Sequence, residues 1–423
     1  MIPIRLKLSV MMFLEYFIWG AWYVTMGTYL LQTLKFSGRQ SGAAYGTTAL
    51  AAMVSPFFVG LVADRFFATE RILAFLHLLG AALLFHVSTL TDFVPFYITL
   101  VAYTLCFMPT LALTNSLSFH QMRVPGTEFP RVRPWGTLGW IAAGYVVSYL
   151  DVGRAATQFR IAAIASAALG LFALTLPHTP PARLGRKVSV RDLLGLDALQ
   201  LMKERSFTIF VVGSFLICIP LRFYNAFTNP FLTEMWVTNA AAKQTIGQWS
   251  EIICLLVMPW FFVRLGIKGV MLVAMAAWCV RYGLFAYGDA GPLVWMFYIG
   301  LALHGICYDF FFVSGQIYVD QKARLHIRAA AQGFITLVTY GAGMFVGSFV
   351  AGWIVDMYAI SGGQPPHDWT AIWLWPAAMA ASVLLLFAVA FKPQEETKPE
   401  LLSRADGRAS RTTTTRPNDD TTL

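Results

Sequence analysis

Residues 303–312 read Leu-His-Gly-Ile-Cys-Tyr-Asp-Phe-Phe-Phe, and they lie inside an apolar run that extends from about 291 to 318. An apolar helix of about 20 residues is long enough to cross a bilayer. An ionised carboxylate costs about 3 kcal/mol or more at that depth, so Asp309 is predicted to face a polar interior instead of lipid. His304 and Tyr308 accompany the acid within about one helical turn, where we expect the Tyr308 hydroxyl to hydrogen-bond the Asp309 carboxylate and His304 to share its proton. We therefore interpret this segment as a proton- or ligand-binding span, the alternative being an acid that only packs against a neighbouring helix.

The whole chain has the composition of a membrane protein. Of its 423 residues, 57% are hydrophobic and 13% are charged, and the mean hydropathy is +0.61. Soluble domains carry about 25% charged residues, so the sequence predicts an all-α polytopic membrane protein. The five cysteines lie in apolar segments without the paired spacing of disulfide or metal sites, and no cofactor, metal site or catalytic residue is predicted. The first apolar segment is long enough to be a span rather than a cleaved signal peptide.

Apolar segments divide the chain into two halves. We predict twelve spans, at 8–31, 42–66, 71–91, 94–120, 129–150, 158–177, 206–232, 244–264, 269–289, 292–317, 328–355 and 369–391. The longest polar interruption follows the sixth span, and six spans on either side of a basic loop resemble the organisation of the major facilitator superfamily. The predicted domains are an N-terminal six-helix bundle (1–177), a cytoplasmic loop (178–205), a C-terminal six-helix bundle (206–391) and a disordered cytoplasmic tail (392–423).

The basic residues predict the orientation of these spans. If the N-terminus is cytoplasmic, most of the 31 Lys and Arg residues fall on the cytoplasmic side. The outer side then receives five, which are Lys35, Arg39, Arg154, Arg160 and Lys243. Because positively charged loops stay in the cytoplasm, we predict a bacterial inner-membrane protein with both termini cytoplasmic. The same distribution accounts for the net charge of +9 without a nucleic-acid partner.

Four predicted spans carry polar side chains on one helical face, because residues three or four apart share a face of an α-helix. These groups are Arg133, Thr137 and Trp140 in the fifth span, Arg222 and Asn225 in the seventh, Gln248 and Glu251 in the eighth, and His304 and Tyr308, beside Asp309, in the tenth. One such group commonly forms a hydrogen bond between helices. Four of them, contributed by both halves, predict one polar cavity near the membrane midplane.

The chemistry of this predicted cavity suits a neutral ligand that carries hydroxyl groups and an aromatic part. Its amides both donate and accept, which matches vicinal hydroxyls or the edge of a base. Trp140 and Tyr308 offer flat faces for stacking a ring. Glu251 and Asp309 supply acceptors that also titrate, and they oppose the two arginines, which disfavours an anionic ligand. The residue types leave both a nucleoside and a sugar open.

The connection between the second and third spans resembles the loop signature of the major facilitator superfamily. It contains Gly60, Asp64 and Arg65. An acid at a helix end pairs with a basic residue or with a helix N-terminus, so this loop is predicted to latch one conformation. The alternative is a solvated cluster of loop charges.

At its polar faces the chain resembles the nucleoside:proton symporter family of that superfamily, over nearly all of residues 4–392. The most specific stretches are Phe129-Pro130…Arg133…Trp135-Gly136-Thr137, Leu193-Leu194-Gly195-Leu196-Asp197-Ala198, Ala286-Tyr287-Gly288-Asp289, Tyr308-Asp309-Phe310-Phe311, and Ile327-Arg328-Ala329…Ala331-Gln332-Gly333. The resemblance implies a proton-coupling site at Asp309. It also implies nucleoside contacts from Arg133, Thr137, Asn225, Gln248 and Glu251.

Three residues depart from the pattern of that family. Arg222 stands where a glutamine is usual, His304 where a tyrosine is usual, and Tyr308 where a phenylalanine is usual. A cation at position 222 close to Glu251 or Asp309 would favour the charged forms of these acids. The substrate preference and the proton coupling therefore depend on where Arg222 points.

The leading hypothesis is import of nucleosides together with protons by alternating access, with Asp309 as the proton carrier and Glu251 as the substrate-contacting alternative. We expect a monomer in a lipid bilayer. Other hypotheses are a symporter or uniporter of the same fold for another neutral sugar-like or polyol compound, a membrane enzyme, and a signalling or scaffold protein that no longer transports. No nucleophile–base pair, metal-ligand spacing or phosphate-binding glycine loop supports the enzyme.

Overall fold

The computed structural model describes residues 3–59, 68–180, 195–324 and 327–393. Over these ranges the chain is helical, with one isolated β-bridge between Ala359 and His367. The predicted latch residues Gly60, Asp64 and Arg65 lie outside the described residues. Half of the predicted 178–205 loop and nearly all of the predicted tail lie outside them as well.

Twelve helices follow one another within the described residues, and eight helical runs among them are long and apolar enough to cross a membrane, one of these runs, Ala240–Tyr287, comprising two of the twelve. They are α1 (Ile4–Thr33), α2 (Gly38–Phe58), α3 (Thr69–Val87), α4 (Phe93–Gln121), α5 (Pro134–Tyr149), α6 (Thr157–Ala173), α7 (Arg205–Glu234), α8 (240–265), α9 (267–287), α10 (Val294–Lys322), α11 (Arg328–Met357) and α12 (Trp369–Ala390). Each corresponds to one predicted apolar segment, so the predicted all-α fold with twelve spans is confirmed. The predicted domain boundaries remain a prediction.

Local sequence explains where several helices begin and end. The Ser37 hydroxyl accepts from the Gln40 amide, and the Gln40 side chain accepts from the Ser37 amide, which caps the first turn of α2. The Asp368 carboxylate caps α12 by accepting from the Ala371 amide. Between α8 and α9 the backbone of Gly266 adopts a φ of 62°, a region that favours glycine, and this residue separates two spans in an otherwise continuous helical run.

The two halves meet through close backbone contacts at glycines. The approach is closest where Gly42 of α2 lies on the Ser348 carbonyl of α11 and where Gly27 of α1 lies on the Ala226 carbonyl of α7. A third contact joins Gly144 of α5 to the side chain of a threonine on α8. Small residues let helix backbones approach closely, which is how helices associate in membranes where no hydrophobic effect drives them together.

All three contacts lie toward the same end of the bundle, the end that carries the connections 34–37, 150–156 and 235–239. Hydrogen bonds reinforce the contacts there: the Thr28 hydroxyl donates to Asn229 Oδ1 at 2.6 Å, joining α1 to α7. We call this end the closed end. The Arg39 amide donates at 3.0 Å to the Asp356 carboxylate, which caps α2 from α11 and is a further bond between the halves.

Candidate ligand and proton site

An acid and an imidazole of the C-terminal half form a direct pair. His304 Nε2 of α10 lies 2.9 Å from Glu251 Oε1 of α8. The two helices approach closely because Gly305 has no side chain: a Cβ there would lie 2.5 Å from the Ser250 carbonyl. The Gly305 amide donates to the Ser250 hydroxyl at 2.8 Å and fixes the register of the contact. The Glu251 side chain remains 23% exposed, so the pair is accessible to protons and to a ligand.

The predicted partners of Asp309 are different in the structure. Asp309 is 4% exposed, and its Oδ2 has no hydrogen-bond partner among the described residues. The Tyr308 hydroxyl, expected to bond the Asp309 carboxylate, instead shares a short hydrogen bond with the Tyr340 hydroxyl of α11. His304, expected to share a proton with Asp309, contacts Glu251. Asp309 is therefore a buried acid without the two partners that the sequence suggested.

The predicted face of α5 lies against aromatic residues of α1. The Arg133 guanidinium sits 4.3 Å from the centroid of the Tyr16 ring, a cation–π contact that orients a cation in a site of low polarity. Trp140 packs edge-on against Trp19, with ring centroids 5.5 Å apart. Thr137, one turn from each, is half-buried. The α5 residues thus form a continuous wall of donor, hydroxyl and indole.

The contact between α5 and α8 places this wall at the depth of the acid–imidazole pair. The Ala242 amide donates to the Ser148 hydroxyl at 2.8 Å, and farther from the closed end Gly144 lies against α8, so the two helices run antiparallel. Thr137 of α5 and Glu251 of α8 each lie two turns, about 10 Å, farther from the closed end than the contact of Gly144 with α8. The two half-buried polar faces therefore share one level of the membrane.

The amides of α7 and α8 are free to bind a ligand. Asn225 and Gln248 are half-buried, and within the described residues neither side chain makes a hydrogen bond. An amide that is half-buried and unpaired loses hydration without gaining a protein partner. Such groups suit the hydroxyls or the base edge of a bound molecule better than they suit helix packing.

Arg222 points away from both acids. Its Nη1 donates to the Tyr23 hydroxyl at 2.8 Å and its Nε donates to the Met344 carbonyl at 3.2 Å, and the residue is 1% exposed. It forms no ion pair with Glu251 or Asp309. This arginine therefore joins α7 to α1 and α11, instead of opposing the acids as a cation beside them would.

Sequence reasoning missed the aromatic residues of α1 and a second acid–imidazole pair. Glu15 Oε2 lies 2.9 Å from His77 Nε2, and the Thr110 hydroxyl lies 2.6 Å from Glu15 Oε1, all of them buried. An acid inside the first apolar segment was a readable signal for this network. The aromatic residues Tyr16 and Tyr23 gave a weaker one, since aromatic side chains are common in any membrane span.

Comparisons with known proteins identify the family of the chain. The family model for the Nucleoside H+ symporter matches residues 2–396. YegT of Escherichia coli K12 is 41% identical over 403 residues, covering 92% of this chain and 94% of that protein. The nucleoside permease NupG of the same organism is 35% identical over 404 residues, which cover 92% of this chain and 96% of that protein. The crystal structure of the NupG D323A mutant superposes with a TM-score of 0.88 at 34% identity, covering 92% of this chain and 100% of that one.

More distant structures share the fold alone. The crystal structure of a peptide transporter of the POT family has a TM-score of 0.72 at 14% identity and covers 96% of this chain. The fold is therefore common to transporters with different substrates, and by itself it does not give the function. The matches above run along nearly the whole chain at much higher identity, and on that basis the chain belongs to the nucleoside H+ symporter family.

Proposed function

We propose that the protein imports nucleosides together with protons by alternating access. The observation that carries the proposal is a set of unpaired, half-buried amides at the same depth as an accessible acid–imidazole pair, in a member of a symporter family. A transporter of a neutral ligand needs hydrogen-bonding groups that no protein partner satisfies. A symporter needs in addition a group that binds and releases a proton in each cycle.

Recognition is assigned to side chains of both halves. Arg133 and Thr137 supply donors to the ligand from the N-terminal half, and Trp140 stacks its ring. Asn225 and Gln248 bind the ribose hydroxyls or the base edge from the other half. The remaining contacts come from Glu251, His304 and Tyr308. Arg222 instead holds α7 in place through its bonds to α1 and α11.

The coupling proton is assigned to the acids of the C-terminal half. Asp309 is buried without a hydrogen-bonding partner for Oδ2, so its neutral form is favoured and it takes up a proton before the site closes. Glu251 lies 2.9 Å from His304 and is the more exposed of the two acids, so it is the alternative carrier. Loss of the ligand on the cytoplasmic side then allows the proton to leave.

We propose that the closed end faces outward and that both termini are cytoplasmic, because the basic residues fall mainly at the opposite end. The protein acts as a monomer in a bacterial inner membrane. Its two bundles, 1–177 and 206–391, rock about the site, and the 178–205 loop connects them. In the outward-open state the glycine contacts separate, and the loop with Gly60, Asp64 and Arg65 latches the cytoplasmic end.

Uptake of labelled uridine into cells that lack their own nucleoside carriers tests the function. We expect accumulation that a protonophore abolishes. Asp309→Asn mimics the protonated acid at nearly constant size, so this variant should exchange labelled for unlabelled uridine without accumulating it. Uptake that only equilibrates across the membrane and ignores the protonophore would leave a uniporter, and a protein that takes up another neutral polyol but no nucleoside would contradict the substrate assignment.

Binding of uridine to the purified protein tests the site. Removing one hydrogen-bonding partner costs about 1–3 kcal/mol in a desolvated site, so Asn225→Ala and Gln248→Ala should each weaken binding about 5- to 150-fold, and Arg133→Ala at least as much. Gln316→Ala is the matched control, because this exposed side chain of α10 lies away from the site. Unchanged binding in all three site variants would place the ligand elsewhere.

A further inference from the structure

Arg281 of α9 is a buried cation that the proposed site does not use. The residue is 0% exposed, and its Nε donates to the Gly300 carbonyl at 2.8 Å. Its Nη1 and Nη2 atoms have no hydrogen-bond partner among the described residues, and it forms no ion pair with a described carboxylate. Burying an unpaired ion costs several kcal/mol. A cation retained at that cost points to a role beyond packing.

The main compensating contact of Arg281 is an aromatic ring that also touches the site. The guanidinium carbon lies 3.8 Å from the centroid of the Tyr224 ring. A desolvated cation–π contact of this kind is worth about 2 kcal/mol. The same ring of Tyr224 stacks on the imidazole of His304, with centroids 4.7 Å apart and planes 22° apart. Arg281 therefore reaches the acid–imidazole pair through one shared aromatic side chain.

Four titratable or charged groups act on the imidazole of His304. Three of them contact it, namely Glu251 from α8, Tyr224 from α7 and Tyr308 from α10 itself, and the fourth, Arg281 from α9, lies against the Tyr224 ring. Burial disfavours a charged ring and the acid attracts a proton to it, so the balance depends on the nearby arginine, which opposes a second cation in the same buried region. A neutral imidazole satisfies both, since Nε2–H then donates to the carboxylate. The Nδ1 atom, which is buried without a partner, is left as an acceptor.

We propose that Arg281 is a positioning residue for the ligand site: it fixes Tyr224 against His304 and keeps the imidazole neutral, so that Nε2 donates to Glu251 and Nδ1 is left as an acceptor for a donor group of the ligand. The ligand part of this inference rests on the proposed function. An N–H of the nucleobase or a hydroxyl of the ribose supplies such a donor. Arg281 thus acts on ligand binding without touching the ligand.

The protonation of His304 is measured directly, without ligand, by nitrogen-15 spectroscopy of histidine-labelled protein, with His304→Gln identifying the signal. At about pH 6, near the ordinary titration of a histidine, we expect the neutral Nε2–H form in the wild type and in Arg281→Lys. Arg281→Gln should show the doubly protonated ring. Arg160→Gln, the same change at an exposed arginine, is the control. A neutral ring in Arg281→Gln overturns the proposal.

Uridine binding supplies the second measurement. The affinity of Arg281→Gln should equal that of the wild type at about pH 8 and fall about tenfold below it near pH 6, because the protonated ring no longer accepts a hydrogen bond. Loss of affinity that is equal at both pH values, and that Arg281→Lys does not restore, overturns the proposal by making the role purely structural.

Two further comparisons separate the possible failures. If Arg281→Gln does not fold, variants of Tyr224 test the contact instead. Tyr224→Leu should weaken uridine binding about tenfold, whereas Tyr224→Phe, which keeps the ring, should not. Equal affinities of the two Tyr224 variants overturn the proposed contact. A wild type that binds no uridine contradicts the proposed function. The nitrogen-15 spectra still decide the role of Arg281 in that case.

Discussion

Replacing Gly42 by alanine should open the closed end of the bundle. A Cβ at this position would lie on the Ser348 carbonyl, well inside the 3.0 Å that real Cβ atoms keep, and also 3.1 Å from the Cα of Gly352. Both neighbours are backbone atoms of α11, so no side chain can rotate away. The two helices must therefore separate, and the glycine contact that joins the halves is lost.

The size of the effect follows from the cost of an overfilled contact. Inserting a methyl group into well-packed structure costs about 1–3 kcal/mol. The strain exists only while α2 and α11 touch, so it disfavours the closed state and leaves the open state unchanged. A bias of this size shifts the ratio of the two states about 5- to 150-fold toward the open one.

Distances between spin labels at Arg154 and Ile360 measure this shift, because these exposed residues lie on different halves at the closed end. In reconstituted protein, Gly42→Ala should add a population at longer distance. Gly46→Ala is the matched control one turn along the same helix, since its Cβ would meet the Ser348 Cβ at an ordinary 3.5 Å. Identical distance distributions in both variants would refute the reasoning.

Three further outcomes are expected. Glu15→Leu should lower the stability of the purified protein by about 1–3 kcal/mol in thermal unfolding, because it leaves His77 buried without its partner, whereas Glu15→Gln should cost less since an amide still bonds both neighbours. Gly305→Ala should weaken uridine binding about tenfold by separating α8 from α10, while Gly283→Ala, with open space around it, should not. Tyr340→Phe should lower stability by about 1 kcal/mol, because the tyrosine of α10 loses its hydroxyl partner.

Each of these outcomes has a contrary result. Equal stability of the two Glu15 variants would mean that the buried pair contributes no hydrogen-bond energy. Equal affinity of the Gly305 and Gly283 variants would mean that the α8–α10 distance does not position the acid–imidazole pair. An unchanged melting temperature in Tyr340→Phe would mean that the tyrosine of α10 finds another partner.

The sequence alone determined the spans and the faces of the helices. A bilayer requires about 20 apolar residues per helix, so the length and spacing of apolar segments give twelve spans without any knowledge of packing. Helical periodicity also assigned Thr137, Gln248 and Glu251 to polar faces, because an unsatisfied polar group is costly in lipid and must turn inward. These inferences depend only on local geometry and on the solvent.

Only the tertiary structure decided which polar groups meet. Periodicity gives the face of a helix but not its neighbour, so the sequence left His304 free to pair with Asp309, and the structure pairs it with Glu251. The sequence does not show in which direction Arg222 points. In the structure its bonds to α1 and α11 hold it away from the two acids. Such partners are set by how closely backbones approach, and that distance depends on small residues such as Gly305 meeting across helices far apart in sequence.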